Sequence, residues 1–118
     1  MVLIKNLESI QRIICEEHNA EYLSSSSEKK IGISLNIKDH KFPINGLRHP
    51  PEGDTTGWYI WGGEHLSEDD NFFQPLHVIH LDSWCPDVQK FLGLPPGWRF
   101  LITEDYEDVW FDSSLLEL

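Results

Sequence analysis

Three features predict an α+β fold, with an N-terminal helix packed on an antiparallel sheet and one short helix inserted among the later strands. Apolar residues recur at helical spacing at the start of the chain. A strict alternation follows in residues 31–37. Beyond it, Trp58, Tyr59 and Trp61 crowd into a short run closed by Gly62–Gly63. The 118 residues are expected to form one domain, 1–118, with a core of useful size. Five Trp and six Phe in a chain that is 40% hydrophobic argue for a packed interior and against disorder.

Residues 2–18 place Leu3, Leu7, Ile10 and Ile14 on one helical stripe flanked by Ile4 and Ile13, and Glu8–Arg12 adds an i,i+4 ion pair. Asn19 is a fitting end, since Asn tolerates the left-handed conformation. A helix with one apolar face should lie on a sheet. Residues 24–30 read as a polar linker. Residues 31–37 then set Ile31, Ile33, Leu35 and Ile37 against Gly32, Ser34 and Asn36, the clearest strand pattern in the chain. Residues 42–47 predict a short edge strand broken by Pro43, and 48–56 a turn-rich loop.

The run 57–62 predicts a central strand, with Trp58 and Ile60 on one face and Tyr59 and Trp61 on the other. Residues 76–81 fit either a strand, with Leu76, Val78 and His80 together, or a helix, with Leu76, Ile79 and His80 together. Residues 86–92 carry Val88, Phe91 and Leu92 at the spacing of a short amphipathic helix entered through Pro86. Strands over 98–103 and 109–112, joined by the acidic turn 104–108, complete a hairpin, and the tail adds a turn of helix or a frayed end. Trp58, Trp98, Phe100 and Trp110 are expected to be largely buried.

The formal net charge is −11, and the acids are concentrated. Between Arg48 and Lys90 there is no Lys or Arg, and after Arg99 there is none. Such a surface repels nucleic acid and anionic membranes and attracts a basic protein. Neither a membrane-spanning run nor a secretory leader is read in the sequence, so a cytoplasmic chain is expected. Cys15 and Cys85 lie far apart and form no CxxC pair, which fits two reduced, buried thiols better than a redox or zinc motif.

No residue pattern argues for an enzyme or a cofactor. GxSxG and phosphate-cradling glycine motifs are absent, and no carboxylate pair is singled out by its spacing. His77 and His80 could share a metal only on a helix, because a strand would send them to opposite faces, and no third ligand stands at a known spacing. A small metal-dependent hydrolase using His77 and His80 is therefore the weaker alternative, with structural histidines the simpler reading. A homo-oligomeric scaffold would instead bury the aromatic residues around Tyr59 and Trp61 in a symmetric interface.

The block from Gly57 onward has a recognisable pattern. Gly57, Trp58, Gly62 and Glu64 form a Gly-Trp-x-x-x-Gly-x-Glu signature. Asp69–Asp70–Asn71, the Pro-led segment Pro86–Leu92 and the Pro96–Gly97 turn follow it. Over residues 57–112 the chain resembles the immunity-protein family numbered thirty-three in bacterial polymorphic toxin systems. It departs from the family pattern at Tyr59–Trp61 and in the long loop 48–56. The resemblance implies an immunity protein, an antitoxin that works by binding rather than catalysis. Its partner would be a cognate toxin domain, with a basic nuclease fitting the acidic surface. The contact residues expected on this reading are Tyr59 and Trp61 as aromatic anchors, Glu64, Glu68, Asp69 and Asp70 in the following loop, and Glu104 and Asp105 in the hairpin turn.

Overall fold

The computed structural model describes residues 3–39, 42–67, 69 and 71–117, with side chains from residue 7 onward. It is an α+β fold built on one six-stranded sheet. The strands are β1 (Lys30–Ser34), β2 (Ile44–Arg48), β3 (Thr55–Gly62), β4 (Phe73–His77), β5 (Trp98–Ile102) and β6 (Glu107–Phe111), and their order across the sheet is β4-β1-β3-β2-β5-β6. Helix α1 (Leu3–Glu17) precedes the sheet, and the short α2 (Leu81–Trp84) follows β4. The sheet is antiparallel except where β1 runs parallel to β3. Among the described residues, no helix is long and apolar enough to cross a membrane.

Four expectations change in detail. The alternation over 31–37 stops being a strand at Ser34 and continues as a 3-10 helix, Leu35–Asp39. The cause is Asn36, whose side-chain amide donates to the Gly62 carbonyl (2.9 Å) and accepts from the Gly62 N–H (3.2 Å). A side chain thus does the pairing that main chain would do in a strand. The strand expected at an edge over 42–47 is β2, which is interior, between β3 and β5. Pro43 lies before its first residue and so interrupts no ladder bond. Residues 76–81 are neither alternative in full: β4 ends at His77, a 3-10 turn covers Val78–His80, and α2 begins at Leu81. Pro86–Phe91 is 3-10 rather than α-helical.

One sheet face carries the main core. Ile31 and Ile33 of β1, Ile44 of β2, Trp58 and Ile60 of β3, and Phe100 and Ile102 of β5 all point into it. The segment 86–94 covers them with Val88, Phe91, Leu92 and Leu94, and Phe91 stacks on Phe100 at 4.6 Å between ring centroids. Helix α1 packs chiefly on this covering segment rather than on the strands. Gln11 donates to the Gln89 carbonyl (2.8 Å) and the Cys15 thiol to the Gly93 carbonyl (3.3 Å). The buried stripe accordingly runs through Cys15 and the half-buried Ile14, while Ile10 and Ile13, expected in it or beside it, face solvent. Asn19 ends the helix with φ +57, as read from the sequence. Cys15 and Cys85 are both free and buried, and burial raises the pKa of each thiol.

Trp58 and Phe100 are buried as expected, but Trp98 and Trp110 are only half-buried. Trp98 sits at the end of β5 between His18 and Phe111, and Trp110 lies on the opposite sheet face beside Arg99. Both belong to the outermost strand pair, where one side of the sheet has no further neighbour. Gly57 is required by its surroundings. Its φ is +88, and a Cβ there would sit 1.9 Å from the His49 carbonyl oxygen, whose own N–H donates to Gly57 (2.9 Å).

Candidate functional site

The second sheet face is only partly covered, and it is aromatic. Alternation brings Tyr59 and Trp61 of β3, Leu47 of β2, Phe73 of β4 and Trp110 of β6 to this side. Trp61, Leu47 and Leu115 form a small second core with Phe72 and Phe73 against it. Leu115 comes from the tail, which forms a 3-10 turn over Ser113–Leu116 opened by the Asp112 carboxylate accepting from the Ser114 N–H (3.1 Å). His49 Nδ1 lies 3.1 Å from the Leu115 carbonyl oxygen and ties the tail to the end of β2.

This tail corrects one expectation. Trp61 is buried, at 4% exposure, under Leu115 and Leu47, so its ring is not free to anchor a partner. Its indole nitrogen has no hydrogen-bond partner among the described residues. Tyr59, two residues earlier on the same face, is 38% exposed, its ring lying across Gly32 and edge-on to Phe73 at 5.1 Å. Beside it opens an apolar pocket of about 230 Å³ walled by Leu47, His49, Tyr59, Trp61, Leu66 and Phe73. Leu66, 52% exposed, is the lone aliphatic residue of the acidic loop that follows β3. Its isolation among acids was a usable signal in the sequence. The places of Leu47, His49 and Leu115 depend on strand register and on the tail, and no local pattern marks them.

The acidic residues share one end of the sheet. Ile44 pairs with both Gly62 and Ile102, and Ile102 with Glu107, so the loop 63–72 and the turn 103–106 leave the same end of the sheet. Glu64, Asp69, Glu104 and Asp105 are all exposed there, and among the described residues none has an ion-pair partner. Asp69 also organises its loop, its carboxylate accepting from the Asn71 N–H (2.9 Å). Glu68 and Asp70 lie outside the described residues. The structure therefore places two acidic groups that are about forty residues apart in sequence at the same end of the sheet, one between β3 and β4 and the other between β5 and β6.

The two histidines lie on adjacent elements. His77 closes β4 and His80 closes the following 3-10 turn, both exposed, with ring centroids 6.4 Å apart. Among the described residues, no group of three His, Cys, Asp or Glu side chains is positioned to hold a metal ion.

Fold and site together define a small α+β fold whose sheet is covered on one side and partly covered and aromatic on the other, with acidic connections at one end. The chain belongs to the Imm33-like domain family, whose model matches residues 10–112. The match takes in α1 from Ile10 and every strand, so it extends well beyond the block in which the signature lies. Membership points to an immunity-protein family. No curated protein and no solved structure matches the chain.

Proposed function

We propose that this protein is an immunity protein that neutralises a cognate toxin domain by direct, non-catalytic binding, and that the surface it binds is basic, as on a nuclease. The observation that carries the proposal is the placement of Glu64, Asp69, Glu104 and Asp105 at one end of a sheet whose partly covered face carries Tyr59 and the Leu66 pocket. Stable interfaces combine a few deeply inserted apolar anchors with a charged rim that steers the encounter. Here Tyr59 and Leu66 supply the anchor region and the acids supply the rim. Trp61 serves from beneath, as a wall of the pocket. The scaffold alternative loses support because Trp61, half of the aromatic patch it relied on, is already covered by the chain's own tail.

Co-expression tests the proposal. The toxin domain encoded beside this gene is expected to arrest growth and the wild-type chain to restore it. The double substitution Tyr59→Ser, Leu66→Ser should abolish rescue while leaving a cooperative unfolding transition. Rescue by the double variant at wild-type level would contradict the placement of the site, and failure of the wild type to rescue would contradict the function.

A further inference from the structure

We propose that the free edge of β6 accepts an added strand, and that its occupant is an extended, lysine- or arginine-bearing segment of a protein partner. The inference rests on the reading that this chain works by binding a protein, and it specifies how part of that partner is held. A sheet edge exposes main-chain donors and acceptors to any strand that can approach. This sheet has two edges, and they are closed in different ways.

On β4 the central donor is missing. Val78 donates to the Lys29 carbonyl (2.9 Å), so with the two-residue periodicity of an antiparallel ladder Leu76 and Gln74 also face β1. Phe73, Pro75 and His77 then face outward. The central outward position is a proline, which has no N–H to offer.

On β6 the closure is reversible. Thr103 donates to Tyr106 (2.8 Å) and Asp112 to Gly97 (2.7 Å), which sets Asp108 and Trp110 toward β5 and leaves Glu107, Val109 and Phe111 facing outward. No proline or lysine interrupts this strand. Its central outward donor, the Val109 N–H, is held at 2.9 Å by the carboxylate of its own neighbour Asp108. An incoming strand must take that N–H from Asp108. A cationic side chain on the incoming strand makes this possible by drawing the carboxylate to itself. The cap therefore selects for a basic segment. The edge also continues directly from the acidic turn carrying Glu104 and Asp105, so the same charge that steers a basic partner delivers it here.

The test is a titration of isotope-labelled protein with short synthetic peptides that alternate valine with lysine, glutamate or threonine. The Val-Lys peptide is expected to slow amide exchange at Glu107, Val109 and Phe111 by at least about tenfold, and the Val-Glu peptide to leave it unchanged. Val109→Pro should keep the fold, since that N–H takes no part in the β5 ladder, and should weaken Val-Lys binding by about tenfold or more. Asp108→Lys, which leaves the main chain untouched, should do the same. Asp108→Ala should let the neutral Val-Thr peptide bind as well as Val-Lys.

Protection that appears elsewhere, or unchanged affinity in Asp108→Lys or in a folded Val109→Pro, overturns the proposal. So does self-association through β6 in place of peptide binding. A toxin domain that binds Val109→Pro as tightly as wild type overturns the edge inference while leaving the neutralising function standing. If the wild type binds no toxin at all, that function fails and the peptide titration alone decides the edge.

Discussion

Arg48 is 1% exposed and meets no carboxylate among the described residues. Its guanidinium donates to the carbonyls of Thr56 (2.8 Å), Leu23 (2.9 Å) and Leu94 (2.8 Å), joining the linker after α1 to β3 and to the segment that covers the core. Burial lowers its pKa to about 10, which still leaves it charged at neutral pH. The planar fork reaches three separate stretches of main chain, a geometry a lysine ammonium does not offer. Arg48→Met should therefore destabilise the fold by about 3–5 kcal/mol, because it removes every one of these bonds from three stretches of main chain at once. Arg48→Lys should recover less than half of that in chemical denaturation. Equal stability of wild type and Arg48→Met would show that the carbonyls find other partners. Nothing in the sequence marked this residue, since a lone arginine before a proline-rich loop looks like a surface cation.

Gly57 is the opposite case, legible in the sequence as part of a signature and explained by the structure. Gly57→Ala combines a positive φ with a close approach to the His49 carbonyl, and should cost at least about 1–2 kcal/mol from the backbone conformation alone. An alanine variant with an unchanged denaturation midpoint would contradict that. The motif of the family thus encodes fold at Gly57 and Trp58, while the exposed Tyr59 that follows them carries the binding expectation.

Among elements, the outer hairpin and the tail respond to pH. The Asp112 carboxyl lies below the usual carboxylate range because the Ser114 hydroxyl and N–H donate to it, with Arg99 at 3.1 Å adding to the effect. A folded-state pKa below the unfolded one contributes stability at pH above the ordinary Asp value. That contribution is lost as pH falls through the lower folded value. Asp112→Asn should therefore be less stable than wild type at pH 7, and the gap in denaturation midpoint should close as the solution is taken below about pH 4. A gap that persists undiminished in acid would assign the loss to packing of Leu115 rather than to charge.

The same elements show where sequence reading reaches its limit. β3, β5 and β6 were legible because alternation and aromatic content are local properties. The end of β1 was not, because Asn36 forms its decisive bonds with Gly62, 26 residues away. The interior place of β2 and the covering of Trp61 by Leu115 depend on strand order and on the tail's path, and neither leaves a local trace. For the same reason the exposure expected of both rings holds at Tyr59 and fails at Trp61: both alternate to one face, and only tertiary structure determines which of them is covered.

At the scale of the whole molecule, charge and shape point the same way. A net charge of −11 and two acidic groups at one sheet end would accelerate encounter with a basic surface. The apolar pocket and Tyr59 would slow its departure. The most direct test is calorimetric and kinetic titration of the cognate toxin domain at low and physiological salt, comparing wild type with a variant carrying Glu64→Gln, Asp69→Asn, Glu104→Gln and Asp105→Asn. These replacements keep shape and hydrogen bonding and remove only charge. Association is expected to slow about tenfold or more at low salt in the variant, the difference to narrow at physiological salt, and dissociation to change little. Association rates identical in the two proteins at both salt concentrations would contradict this.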